Sequence, residues 1–238
     1  GGWYDLNEDG WLDLYVVNDF GVSQPNVLLW NVEGTLVEDE GAAGLDLPMT
    51  GMGLAVADLN ADGVQDLLIP EWNKNRLLLS SESLGMWVDY ALDWGLGNAE
   101  DRGQKVGWGA SIADIDNDGD LDALIAYGAV RYVNERWENP EKQPDGLYVQ
   151  QPDGSFVDEG VAWDFADDGV GRGFVVDDIN GDGWLDVFKR DLAGPDVLLM
   201  ARCGSEAWLQ VTLRSEEANT FGVGAVVTLR SGDQTWER

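Results

Sequence analysis

Short apolar runs recur along the chain, each bounded by turn-forming residues. Leu14-Tyr-Val-Val17, Leu67-Leu-Ile69, Ala123-Leu-Ile-Ala126 and Val187-Phe188 are apolar and mostly β-branched or aromatic, so they predict strands entering a core. A second run follows each of them: Asn26-Val-Leu-Leu-Trp30, Arg76-Leu-Leu-Leu79, Gly146-Leu-Tyr-Val-Gln150 and Val197-Leu-Leu-Met200. A third, in the first three periods, is Thr35-Leu-Val37, Met86-Trp-Val88 or Ser155-Phe-Val157, each continuing into acidic residues. Gly51-Met-Gly53, Gly107-Trp-Gly109 and Gly171-Arg-Gly173 open a further run of small or β-branched residues, which suits a tightly packed inner strand. Each period therefore holds about four short strands separated by turns, the arithmetic of a β-propeller blade. The expected fold class is all-β, a β-propeller segment of consecutive four-stranded blades with Asp-rich loops between strands.

The inner strand and the strand after it are joined by the same nine-residue pattern four times. It places Asp5, Asn7, Asp9, Trp11 and Asp13 in the first loop and Asp58, Asn60, Asp62, Val64 and Asp66 in the second. The third loop has Asp114, Asp116, Asp118, Asp120 and Asp122, and the fourth Asp178, Asn180, Asp182, Trp184 and Asp186. The first ligands are 53, 56 and 64 residues apart. Oxygen ligands at positions one, three and five, glycine at six for a sharp turn and a backbone carbonyl at seven form the front of a calcium loop. The rear differs from a helical EF-hand, because the closing carboxylate is an aspartate at nine and a strand follows. Four repetitions in register favour Ca²⁺, up to four ions, over solvated acidic turns. Magnesium, which prefers strict octahedral geometry with retained water, suits such a cage less well.

Composition sharpens this picture. The net charge of −31 repels nucleic acid and anionic membrane surfaces and directs attention to cations. Four Ca²⁺ would leave −23, still a soluble, self-repelling surface. The absence of histidine excludes Ser-His-Asp and Cys-His nucleophile systems and His-ligated zinc. A single cysteine, Cys203, cannot form an internal disulfide and is expected to be a small buried apolar residue. No run of about 18 apolar residues is present to insert into a membrane. The chain starts inside a repeat, so an export signal is expected upstream, and both ends look cut.

The loop pattern, the Leu-rich strand and the Gly-x-Gly inner strand together resemble the FG-GAP/VCBS repeats of integrin α-subunit-like propellers, over roughly residues 1–204. That resemblance implies calcium in the inter-strand loops and an extracellular or cell-surface location. Trp208-Leu-Gln-Val-Thr-Leu213 and Asn219-Thr-Phe-Gly222-Val-Gly224 through Leu229 and Gln234 resemble the opening of an ASPIC/UnbV module, taken as residues 205–238. Thr220 stands where that family usually has a basic residue, and Trp236 where an arginine is common.

Other features yield to plainer readings. Twelve tryptophans could offer indole shelves for sugars. However, Trp11 and Trp184 occupy position seven of their loops, and Trp30, Trp87 and Trp208 lie in strand runs expected to fill blade interfaces. The third period has an insertion from Arg131 to Asp145 without a counterpart, which suits a binding loop or tolerated drift. No Gly-x-Gly segment completes a nucleotide-binding fingerprint. The expected function is a non-enzymatic, secreted calcium-binding scaffold for adhesion or recognition of a protein or glycan ligand, with calcium structural. The alternative is the non-catalytic part of a secreted polysaccharide-acting or other hydrolytic enzyme. A dockerin-like reading conflicts with the strands that follow the loops and with their wide spacing.

Overall fold

The computed structural model describes residues 1–21, 23–81, 86–97, 105–129, 143–167, 169–192, 194–202, 204, 206–216, 219–232 and 234–237. Every regular element among them is a strand. β1 (Gly2–Tyr4), β2 (Asp13–Val16), β3 (Val27–Val32) and β4 (Thr35–Glu38) form one four-stranded antiparallel sheet in sequence order. The second contains β5 (Ala55–Ala57), β6 (Asp66–Pro70), β7 (Asn75–Ser81) and β8 (Met86–Asp89). The third contains β9 (Gly107–Ala113), β10 (Asp122–Tyr127), β11 (Gly146–Gln150) and β12 (Phe156–Asp158). A fourth sheet has three strands, β13 (Gly171–Asp177), β14 (Asp186–Asp191) and β15 (Val197–Leu199), and the chain ends in the hairpin β16 (Thr228–Ser231) and β17 (Gln234–Glu237). These meanders are propeller-like blades, and apart from β1 every strand of the four sheets falls on one of the runs read from the sequence. Cys203 and most of the third-period insertion, residues 130–142, lie outside the described residues.

Three apolar cores lie between consecutive sheets. Tyr15 and Leu28 meet Leu67, Ile69, Leu78 and Trp87 between sheets one and two. Leu68, Leu77 and Leu79 meet Ala123, Ile125, Tyr127 and Tyr148 between sheets two and three. Leu124, Leu147 and Val149 meet Val187, with Phe174 and Val176 packed alongside, between sheets three and four. Alternate residues of β6 and β10 thus point into different cores, which is why these strands read as unbroken apolar runs. Their full burial, residue by residue, follows from the same sandwiching. On the far face of sheet four, the cross-strand row Val175, Phe188 and Leu198 is exposed.

Inner strands approach at glycines. A Cβ on Gly53 would run into the Trp108 carbonyl oxygen, and one on Gly109 would lie 2.7 Å from Gly173 Cα. The second glycine of the pair is therefore a packing requirement between neighbouring blades at Gly53 and Gly109, whereas a Cβ on Gly173 would meet nothing within 4 Å. Buried amide and phenol groups pair in the same way within and between sheets: Asn26 Nδ2 donates to Tyr15 Oη at 2.9 Å beside sheet one, and Asn75 Nδ2 of sheet two donates to Tyr127 Oη of sheet three at 2.8 Å.

The interface of sheets three and four also contains a buried cation. Lys189 on β14 is fully buried and ion-paired with Asp145, itself buried, and with the more accessible Asp167. Burial alone would lower the lysine's pKa, but the two carboxylates outweigh it and raise the value, so Lys189 stays protonated. Asp145 also accepts the Tyr127 backbone N–H at 2.6 Å, which ties the pair to β10. Removing Asp145 leaves the buried Lys189 charge with the more accessible Asp167 alone. Asp145→Asn is expected to lower stability by about 3–5 kcal/mol in urea denaturation. Adding Lys189→Met is expected to recover most of that loss; equal destabilisation of the single and double variants would contradict the pairing.

Candidate metal centres

The four Asp-rich loops fold alike because their side chains bond to their own backbone. In loop one, the Asp9 N–H donates to Asp5 Oδ1 at 3.0 Å and to Asn7 Oδ1 at 3.2 Å, and the Gly10 N–H donates to Asp5 Oδ2 at 2.9 Å. The same three bonds recur from Asp62 and Gly63 to Asp58 and Asn60. They recur from Asp118 and Gly119 to Asp114 and Asp116, and from Asp182 and Gly183 to Asp178 and Asn180. The N–H of position seven, in Trp11, Val64, Asp120 and Trp184, donates to the position-five carboxylate at 2.8–3.0 Å. Positions four and six are both left-handed: Glu8, Ala61, Asn117 and Gly181 have φ of 56–75°, and Gly10, Gly63, Gly119 and Gly183 have φ of 87–99°. The sharp turn expected at position six is therefore half of a two-residue reversal that gathers the side chains of positions one, three and five.

Position nine has a second role that its spacing did not reveal. Asp13, Asp66, Asp122 and Asp186 are buried as the first residues of β2, β6, β10 and β14. One oxygen of each accepts the N–H of loop position two, in Leu6, Leu59, Ile115 and Ile179, at 2.9–3.1 Å. The other accepts an N–H from the next strand or its edge, in Asn31, Ser80, Gln150 and Ala201, at 2.8–2.9 Å. The aspartate thus clamps the loop to the sheet, and each oxygen keeps further lone-pair capacity for an ion.

Burial and crowding act on these carboxylates. Desolvation pushes Asp66 and Asp122 up to about 7, against the pull of their two amide donors and with a further push from the acids at neighbouring loop positions. Asp116 rises to about 6, first through burial and then through the adjacent Asp118 charge. Asp13 and Asp58 are raised for the same leading reason. A cation would relieve this crowding by favouring the ionised forms. In loop three, where position three is an aspartate, Asp114, Asp116 and Asp122 bring ligand oxygens within 4.8 Å of one another, a group that can hold a metal ion. The donor set in all four loops is oxygen only, which suits a hard divalent cation.

The acidic residues after the third runs turn the chain toward the next sheet. Asp39, Asp89 and Asp158 do so by accepting N–H groups two residues on, from Gly41, Ala91 and Gly160. Trp30 and Trp87 fill a blade interface as expected, with ring centroids 6.5 Å apart. Trp208 does not. It lies in a stretch without strand pairing, is 48% exposed, and rests on Gly183 of loop four, because residues 206–215 have no neighbouring strand to pair with among the described residues.

Comparison with known proteins agrees with this architecture. Residues 5–69, covering loops one and two, match the model of the FG-GAP-like repeat. The chain is similar to cartilage acidic protein 1: it is 28% identical to the Xenopus tropicalis protein over 233 residues and 29% identical to the Mus musculus and Homo sapiens proteins over 234. These matches cover 91% of this chain but 32–33% of the relatives, so the chain spans about a third of their length. No helix among the described residues is long and apolar enough to cross a membrane.

The raised carboxylates set a pH dependence for the metal-free chain. A carboxyl whose folded pKa is near 7, against an ordinary 3.8, stabilises the fold while protonated and loses that contribution as pH rises through about 7. Protein in chelator is expected to melt at a lower temperature at pH 8 than at pH 5.5. A higher melting temperature at pH 8 would contradict the crowding of Asp66 and Asp122.

Proposed function

We propose that each of the four loops holds one Ca²⁺ and that the chain serves as an extracellular, non-catalytic scaffold for adhesion or recognition of a protein or glycan ligand. The carrying observation is the repetition of one hydrogen-bond pattern in four loops, with left-handed turns at the same two positions. Asp5, Asn7, Asp9 and Asp13, with the Trp11 carbonyl, would hold the first ion. Asp58, Asn60, Asp62, Asp66 and Val64 would hold the second, and Asp114, Asp116, Asp118, Asp122 and Asp120 the third. Asp178, Asn180, Asp182, Asp186 and Trp184 would hold the fourth. In this account the ion neutralises the gathered carboxylates, and the position-nine aspartate passes its restraint to the sheet.

The resemblance to FG-GAP-like repeats and to proteins named for cartilage supports an extracellular setting. The clustered carboxylates are engaged by backbone amides, which supports a structural role over a catalytic one. We also assign residues 1–204 to the propeller repeats and residues 205–238 to an ASPIC/UnbV-like module. Extracellular calcium modules bind with Kd of about 10⁻⁴ to 10⁻³ M. At roughly millimolar calcium each independent site would then contribute about 0.4–1.4 kcal/mol of stability.

Chelation is expected to lower the melting temperature and added calcium to restore it; superimposable melting curves would reduce the loops to acidic turns. Asp118→Ala is expected to reduce the calorimetric stoichiometry from four ions to three. An unchanged stoichiometry would refute the ligand assignment in loop three.

A further inference from the structure

The segment after β15 contains two tryptophans, Trp208 and Trp236, and each lies on the position-six glycine of a different Asp-rich loop. The Trp208 indole occupies the space that a Cβ on Gly183 would need, with its Nε1, Cε2 and Cδ1 all in contact. The Trp236 indole does the same at Gly119, where an added Cβ would lie 3.1 Å from Cε2. The equivalent glycines of loops one and two, Gly10 and Gly63, have nothing within 4 Å of that position. The two seats are joined, because Asn117 Nδ2 in loop three donates to the Gly183 carbonyl in loop four at 3.0 Å. Between loops two and three, a cleft of about 530 Å³ opens beneath Thr235 and Trp236, bordered by Asp62, Asp120 and Gln150.

We propose that the face formed by loops three and four is the docking surface for the chain's own C-terminal segment, and that cation occupancy of those loops governs the docking. The proposal rests on the calcium reading above and extends it. Both glycine seats belong to the cages: the Gly119 N–H donates to Asp114 Oδ2 and the Gly183 N–H to Asp178 Oδ2, the first ligand position in each case. An indole seated against a peptide needs that peptide held still, and only glycine leaves room for it. When the loop is empty, the carboxylates that fix the glycine repel one another and the seat loosens. The occupant cannot keep its shape unaided. β16 and β17 form an isolated two-stranded hairpin, a unit marginal in water, and Trp236 is paired with Leu229 inside it. The platform therefore orders the hairpin, and the ion orders the platform.

Hydrogen exchange of the full 238-residue chain tests this, with β10 and β11 amides as internal reference and calcium binding followed in parallel by calorimetry. In calcium, the amides of β16 and β17 are expected to be protected, and chelation is expected to speed their exchange at least about tenfold relative to β10 and β11. The double variant Trp208→Ala, Trp236→Ala is expected to exchange rapidly in that segment even in calcium, while binding as many ions as the parent. Bound calcium with equal tail exchange in calcium and chelator would overturn the coupling and leave the calcium reading standing. Full tail protection in the double variant would overturn the seats. Absence of calorimetric binding would remove the calcium reading and this proposal together.

Discussion

A buried aspartate opens the second strand of every blade-like sheet, and the fold depends on how its charge is accommodated. Asp13, Asp66, Asp122 and Asp186 each spend both oxygens on backbone N–H groups, one from the loop behind and one from the strand beside. Two amide bonds do not fully offset the loss of water, which is why Asp66 and Asp122 are pushed far above an ordinary carboxylate. Under the proposed function, a cation at the loop would supply the missing compensation. In that view the ion acts on the sheet itself, because the residue that closes the cage is the residue that starts the strand.

The rest of the architecture spreads this local solution along the chain. The central sheets are sandwiched between neighbours, so the strands after their loops are apolar on both faces and the carboxylates remain at the sheet ends. Gln150 joins the two systems: its N–H donates to Asp122 and its side-chain amide donates to the Leu59 carbonyl of loop two, 91 residues away in sequence. The state of one loop is thereby linked to the blade that follows it. The Lys189–Asp145 pair is a second electrostatic device, at the interface of sheets three and four; the second strands of sheets two and three, β6 and β10, carry no charged residue after their opening aspartate.

Strands and loops were legible in the sequence because both depend on local order: apolar runs of fixed length, and oxygen-bearing residues at alternate positions before a glycine. What escaped depended on distant partners. The clamp at position nine uses backbone amides 18, 14, 28 and 15 residues downstream, a separation set by insertions that carry no residue-type signal. Lys189 sits between Phe188 and Arg190, and its charge gives no sign of burial, yet the alternation of β14 turns that position inward to Asp145. Trp208 heads a run with strand-like composition, but composition does not supply a neighbouring strand, and its indole found a glycine instead.

Crystals of the chain grown in millimolar calcium and measured for anomalous scattering test the central claim most directly. The account predicts four anomalous peaks, one in each loop, surrounded by the side-chain oxygens of positions one, three, five and nine. Loops that retain their amide bonds but show no anomalous density would contradict it, and would leave the buried aspartates as hydrogen-bonded clamps without an ion.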